Sequence, residues 1–264
     1  MSVSSPSRFV VTALVLVTAF LAPRLDAAQP DYQREARLAS QIVDMILDGD
    51  ALWLEANEHE FLGIYTAADE ARAAVVILHG RGFHPDWADA INPLRVGLAE
   101  NGYSTLSLQM PVLEKDAKYY DYEPILGFAH ARIEAGIDYL RQQGYRKVIL
   151  LAHSCGVHMA MDWVREQGDN SIDAYIGLSM GATDYGQPMR QPFPLAKMQV
   201  AVLDLYGAND YPAVRRGAPA RKAMLETAGH AQSRQQVLPQ ADHYFTDQGD
   251  ALVTAVLDWL DRLQ

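Results

Sequence analysis

The chain has 264 residues, 49% hydrophobic and 21% charged, which suits a sizeable folded core and excludes general disorder. Its formal net charge of −11 argues against DNA or RNA as the main partner, because phosphate binding needs a basic face. A single cysteine excludes a disulfide framework and any thiolate-rich metal site within one chain.

The first residues read as an address. Arg8 precedes an apolar run from Phe9 to Leu21, long enough for a signal-peptide core and shorter than the ~20 residues of a membrane-spanning helix. Ala27 and Ala28 offer a cleavage point. The expectation is a signal peptide over residues 1–28, export to the periplasm or beyond, and no stable membrane insertion after its removal. One unpaired cysteine also suits an oxidising compartment, since it cannot mispair within the chain. Residues 29–264 are then expected to form one domain.

Residues 32–48 have helical periodicity, with Leu38, Ile42, Met45 and Ile46 on one face. Residues 51–66 suggest a hairpin. Ala73–Leu78 is a continuous apolar run, as expected of a strand buried on both faces. A helix follows over about 88–101, then a strand over Tyr103–Gln109, a tyrosine-rich loop, and a helix over 124–143. Further strands are expected at Lys147–Ala152, Ala174–Leu178, Met198–Tyr206 and Gln235–Leu238. The helices between and after them fall at about 155–167, 213–228 and 247–263. This alternation predicts a mostly parallel sheet with helices on both faces. Ligands in such sheets bind beyond the carboxyl ends of the strands.

Three strand ends carry chemistry. Ala152-His153-Ser154-Cys155-Gly156 places a serine at a strand-to-helix turn, with small residues two places to either side. Asp210 follows the strand ending near Tyr206, where a carboxylate can orient a histidine. Asp184 is the alternative acid, and Asp204, inside the strand, is assigned to structure. His243, before the last helix, can take a proton from the serine and return it to a leaving group. The order Ser154, Asp210, His243 differs from that of chymotrypsin and subtilisin. His79-Gly80-Arg81-Gly82 follows the first buried strand, and its glycines let the loop approach the serine.

From Ala73 to its C-terminus the chain resembles the α/β-hydrolases, carried by LHGRG (78–82), AHSCG (152–156), YGAND (206–210) and DHYF (242–245). The stretches HGRGFHPDW (79–87) and SLQMP (107–111) are also similar to an uncharacterised group of exported bacterial proteins of this type. The resemblance implies Ser154 as nucleophile, Asp210 as acid and His243 as base. It also implies the backbone N–H groups of Arg81 and Cys155 as oxyanion donors. Alanine at 152 departs from the usual G-x-S-x-G pattern. Cys155 is the less favoured nucleophile, because Ser154 holds the central elbow position.

Only Ser179 to Lys197 is available for a lid, enough for a short loop. Phe83, Trp87, Tyr119, Tyr120 and Tyr122 are candidates to line the substrate pocket, with core or loop packing as the alternative for each. The Arg81 side chain is a further candidate to meet a substrate carboxylate. The expected function is a serine hydrolase cleaving carboxylic esters of small or medium substrates, with no metal or cofactor. The alternatives are a thioesterase, amidase or peptidase of the same fold, or a catalytically silent binding protein.

Overall fold

Hydrophobic residues alternate between the two faces of a central sheet, and each face packs its own layer of helices. This computed structural model describes residues 28–182 and 186–263, along with Met1. Residues 2–27 of the expected signal segment, and Asp184, lie outside the described residues. The sheet has eight strands: β1 (Asp50–Ala56), β2 (His59–Thr66), β3 (Ala73–Leu78), β4 (Tyr103–Leu108), β5 (Val148–His153), β6 (Ala174–Leu178), β7 (Ala201–Gly207) and β8 (Arg234–Leu238). Their order is β1-β2-β4-β3-β5-β6-β7-β8. The β1–β2 and β2–β4 pairs are antiparallel, and all others are parallel.

The α-helices are α1 (Tyr32–Ile42), α2 (Ile91–Glu100), α3 (Tyr119–Tyr122), α4 (Phe128–Gln142), α5 (Cys155–Gln167), α6 (Pro212–Ala228) and α7 (Gly249–Leu260). Val76 and Leu78 of β3, with Leu150 and Ala152 of β5, pack toward α4 and α5. Val75 and Ile77, with Ile149 and Leu151, pack toward α2 and α7. Every residue of β3, β4 and β5 is buried, which the continuous apolar runs of β3 and β5 require. From β3 the chain winds first to β4 on one side and then to β5 on the other. The crevice beyond the carboxyl ends of β3 and β5 is therefore the topological switch point.

Several element boundaries differ from expectation for local reasons. Helix α1 stops at Ile42 and continues only as a tight turn over Val43–Met45. Its buried face is Glu35, Ala39 and Ile42, while Met45 and Leu47 are exposed as the chain turns toward β1. Helix α2 starts at Ile91 because the residues before it form turns, with Asp86 committed to Asn92 and Arg95. The segment at 119–122 is a short helix, its Lys118 N–H capped by Asp121 Oδ2 at 2.7 Å. Strand β7 starts at Ala201 because Asp169 Oδ2 accepts from the N–H groups of Gln199 and Val200, taking both out of the ladder. Between β6 and β7 the described residues contain one short helical turn, Leu195–Lys197.

Asp204 has the structural place expected of it. It is fully buried in β7, accepts from Arg221 Nε at 2.8 Å and from Gln235 Nε2 at 2.7 Å, and burial raises its pKa.

Candidate active site

The turn from β5 into α5 is too sharp for ordinary backbone. Ser154 sits at φ 54° and ψ −115°, a region that costs a non-glycine residue on the order of 1–3 kcal/mol. Two main-chain bonds hold it there: its N–H donates to the Leu178 carbonyl at 3.0 Å, and its own carbonyl accepts from Val157 N–H at 3.0 Å. Gly156 admits no side chain, since a Cβ there would lie 2.6 Å from the His79 carbonyl oxygen and 2.8 Å from that of Leu78. Ala152 faces the packed core, where its methyl group fits without exposure. The elbow thus needs glycine after the serine and tolerates alanine before it.

Ser154, His243 and Asp210 meet at the strand ends. Ser154 Oγ lies 2.8 Å from His243 Nε2, and His243 Nδ1 lies 2.7 Å from Asp210 Oδ1. The carboxylate makes Nδ1 the protonated nitrogen, so Nε2 is the acceptor facing the serine. Asp210 and His243 are 1% and 3% exposed and Ser154 8%, so water has little direct access to the chain of bonds. Burial opposes ionisation of Asp210, but the hydrogen bonds from His243 and the Tyr211 N–H outweigh it and hold the pKa below the usual carboxylate range. The loops carrying acid and base are stitched together: Ala208 N–H donates to the Leu238 carbonyl and Asn209 N–H to that of Ala241. Asp242 Oδ1 accepts from the N–H groups of Tyr244 and Thr246, closing the turn that presents His243.

The loop after β3 packs directly on the serine. A Cβ on Gly80 would lie 3.2 Å from Ser154 Cβ, a tight contact that its neighbours would have to relieve by a few tenths of an ångström. His79 anchors the loop from below. Its Nε2 accepts from Met110 N–H at 2.9 Å, so Nδ1 carries the proton and donates to the Gly80 carbonyl at 2.8 Å. Burial lowers the His79 pKa to about 3, keeping the ring neutral in this role. Gln109 Nε2 also donates to His79 Nε2. The Gln109 carbonyl accepts from Arg132, which pairs with Glu35 of α1 at 2.9 Å.

These elements enclose a cleft of about 450 Å³ that reaches Ser154 and His243. Arg81 and Cys155 line it, as do Phe83, Trp87 and Tyr119. Phe83 and Trp87 are stacked, their ring centroids 3.9 Å apart. Tyr120 turns away, donating its hydroxyl to the Pro188 carbonyl under the Arg190 guanidinium. Tyr122 is wholly buried in the core and accepts from Leu113 N–H. Arg34, Leu38, Lys115, His158 and Tyr244 also line the cleft, though the sequence did not single them out for it. Arg34 and Leu38 arrive on α1, far away in sequence, and no local motif announces them. Ser179 is a missed neighbour of the acid and base that a search of residues just after strands could have found. Among the described residues, no group of three or more His, Cys, Asp or Glu is arranged to hold a metal ion.

Residues 10–123 and 122–262 match the family described as "Protein of unknown function (DUF3530)", and the chain belongs to that family. No curated protein matches the chain. Among solved structures it is similar to Est1E from Butyrivibrio proteoclasticus, with 16% identity over 81% of this chain and 100% of that one, TM-score 0.61. A cold-adapted esterase from an Arctic intertidal metagenomic library gives 18% identity over 80% and 92%, TM-score 0.63. XC6422 from Xanthomonas campestris, described as an α/β serine hydrolase without lid, gives 15% identity over 82% and 95%, TM-score 0.55. The fold is that of the α/β-hydrolases.

Proposed function

We propose that this chain is a serine hydrolase that cleaves carboxylic esters of small or medium substrates through an acyl-enzyme on Ser154. The observation that carries this reading is the unbroken hydrogen-bond chain Ser154–His243–Asp210 at the floor of an open cleft. His243 Nε2 takes the Ser154 proton as Oγ attacks the acyl carbonyl. Asp210, ionised and buried, stabilises the imidazolium that forms and keeps the ring in its working tautomer.

The tetrahedral oxyanion is received by the backbone N–H groups of Arg81 and Cys155. Cys155 is the first residue of α5, so its N–H belongs to a helix start, where amides lack intrahelical acceptors and the dipole is positive. One such donor typically contributes about 3 kcal/mol to the transition state. His243 then protonates the leaving alcohol. Water activated by the same nitrogen releases the acid and restores Ser154.

Among the described residues the connection between β6 and β7 holds only the helical turn Leu195–Lys197, which supports an esterase over a lipase guarding a deep acyl tunnel. We also propose that residues 1–28 are a signal peptide and that residues 29–264 act as one exported domain. Steady-state hydrolysis of p-nitrophenyl esters, with acyl thioesters and amides alongside, tests the reaction. Ester turnover is expected to disappear in Ser154→Ala and to fall about 10⁴-fold in kcat in Asp210→Asn. Undiminished turnover in Ser154→Ala would contradict the reading.

A further inference from the structure

The cleft has a charge pattern that acyl transfer alone does not use. Arg34 from α1, Arg81 from the loop after β3 and Lys115 from the loop after β4 line it beside Ser154. Among the described residues, no Asp or Glu lines it. This reverses the balance of the whole chain, which carries 33 acidic and 22 basic residues. Among the described residues, the nearby carboxylates are engaged or line a separate depression. Asp86 pairs with Arg95 at 2.7 Å, Asp31 caps α1 through the Arg34 N–H, and Asp210 is bonded behind His243. Glu114 and Asp116, on either side of Lys115, border a separate shallow depression.

Arg34 is built into the wall. Its Nη2 donates to the Gly82 carbonyl at 3.3 Å, which fixes the guanidinium against the loop that carries Arg81. Its Nε is buried without a hydrogen-bond partner among the described residues. Among the described residues no carboxylate is hydrogen-bonded to this guanidinium, so its charge remains for an anion in the cleft. Arg81 has an interaction of its own, so Arg34 and Lys115 are the cations offered to a ligand, and Arg81 adds its charge to the same wall.

We propose that the substrate is an ester bearing a second, anionic group, a carboxylate in the simplest case, held by Arg34 and Lys115 while Ser154 attacks the ester carbonyl. This rests on the serine-hydrolase reading and adds the substrate class. The reaction balances as ordinary hydrolysis: the ester C–O bond breaks, water supplies OH to the acyl carbon and H to the alcohol, and the anionic group is unchanged.

The test compares p-nitrophenyl hemiadipate with p-nitrophenyl heptanoate, of similar length and no charge. Wild type should show kcat/KM at least tenfold higher for the charged ester at low ionic strength, equivalent to about 1.4 kcal/mol. The preference should shrink as salt is added. Arg34→Gln and Lys115→Gln should each lower the ratio of the two kcat/KM values threefold or more, whereas Lys222→Gln on exposed α6 should leave it unchanged. Lys115→Gln guards against loss of the Arg34–Gly82 contact as the cause. A ratio at or below one, or a ratio indifferent to both substitutions, overturns the inference. So does failure of both esters with a protein whose Ser154 still reacts with a fluorophosphonate. If the fluorophosphonate also fails, the serine-hydrolase reading falls with it.

Discussion

His153, the residue before the elbow serine, holds the main chain of His243: its Nε2 donates to the His243 carbonyl at 2.9 Å. Ser179 Oγ donates to the same oxygen at 3.2 Å. The strand that supplies the proposed nucleophile thus also fixes the loop that supplies the proposed base. His153→Ala should reduce kcat by up to about 10²-fold with little change in KM, because the base is displaced while the cleft is kept. His153→Gln, whose amide can still donate, should recover part of the loss. Equal activity in wild type and His153→Ala would show that the loop holds His243 unaided.

Gly156 gives the sharpest steric prediction. A methyl group there meets two carbonyl oxygens of the β3 end rather than flexible side chains. Gly156→Ala should cost about 1–3 kcal/mol by denaturant unfolding, as over-packing does, and should lower activity by pushing the loop of Arg81 outward. Gly127→Ala is the control: nothing lies within 4 Å of its added Cβ and its φ is −61°. It should be neutral or slightly stabilising.

Helix α1 is tied to the loop after β3 by a buried polar chain. Glu35 and Arg132 are each 3% exposed at the side chain and 2.9 Å apart. Glu35 also accepts from Val112 N–H and meets His59 Nε2 at 3.3 Å. Arg132→Met leaves that carboxylate buried without its main partner, and should cost about 3–5 kcal/mol. The double variant Glu35→Leu with Arg132→Met should recover part of that loss. A shift in denaturant midpoint no larger than that of an exposed arginine, such as Arg216→Met, would contradict a linchpin role.

Three buried rings make the fold acid-sensitive. Burial lowers the pKa of His79 to about 3, and those of His153 and His158 to about 4. All three stay neutral in the folded chain at pH values where the unfolded chain, with histidine near 6.5, is protonated. Their stabilisation is complete above about pH 6.5 and is lost as pH falls toward 4, at up to about 1.4 kcal/mol per pH unit for each ring. Unfolding free energy should therefore be several kcal/mol lower at pH 4.5 than at pH 7. A flat profile over that range would contradict the assigned neutrality.

The local motifs were legible because their physics is local. Ala73–Leu78 is apolar at every position, which only a strand covered on both faces rewards, and the structure buries all six residues. The elbow is a five-residue problem of turn geometry and small side chains. What could not be read depends on distant partners. The start of β7 moved by three residues because Asp169, some thirty positions earlier, captures two amides. Tyr119, Tyr120 and Tyr122 looked equivalent as a loop. A helical turn sends Tyr119 to the cleft, Tyr120 toward Pro188 and Tyr122 into the core. Arg34 enters the cleft only because α1 docks against residue 82, a contact with no signature in the segment itself.

Fluorophosphonate labelling followed by peptide mapping tests the central claim most directly. The expected result is stoichiometric modification on the peptide containing Ser154, absent from Ser154→Ala and strongly slowed in Asp210→Asn. A folded wild-type protein that takes no label, or a label that persists in Ser154→Ala, would contradict an activated serine at the end of β5.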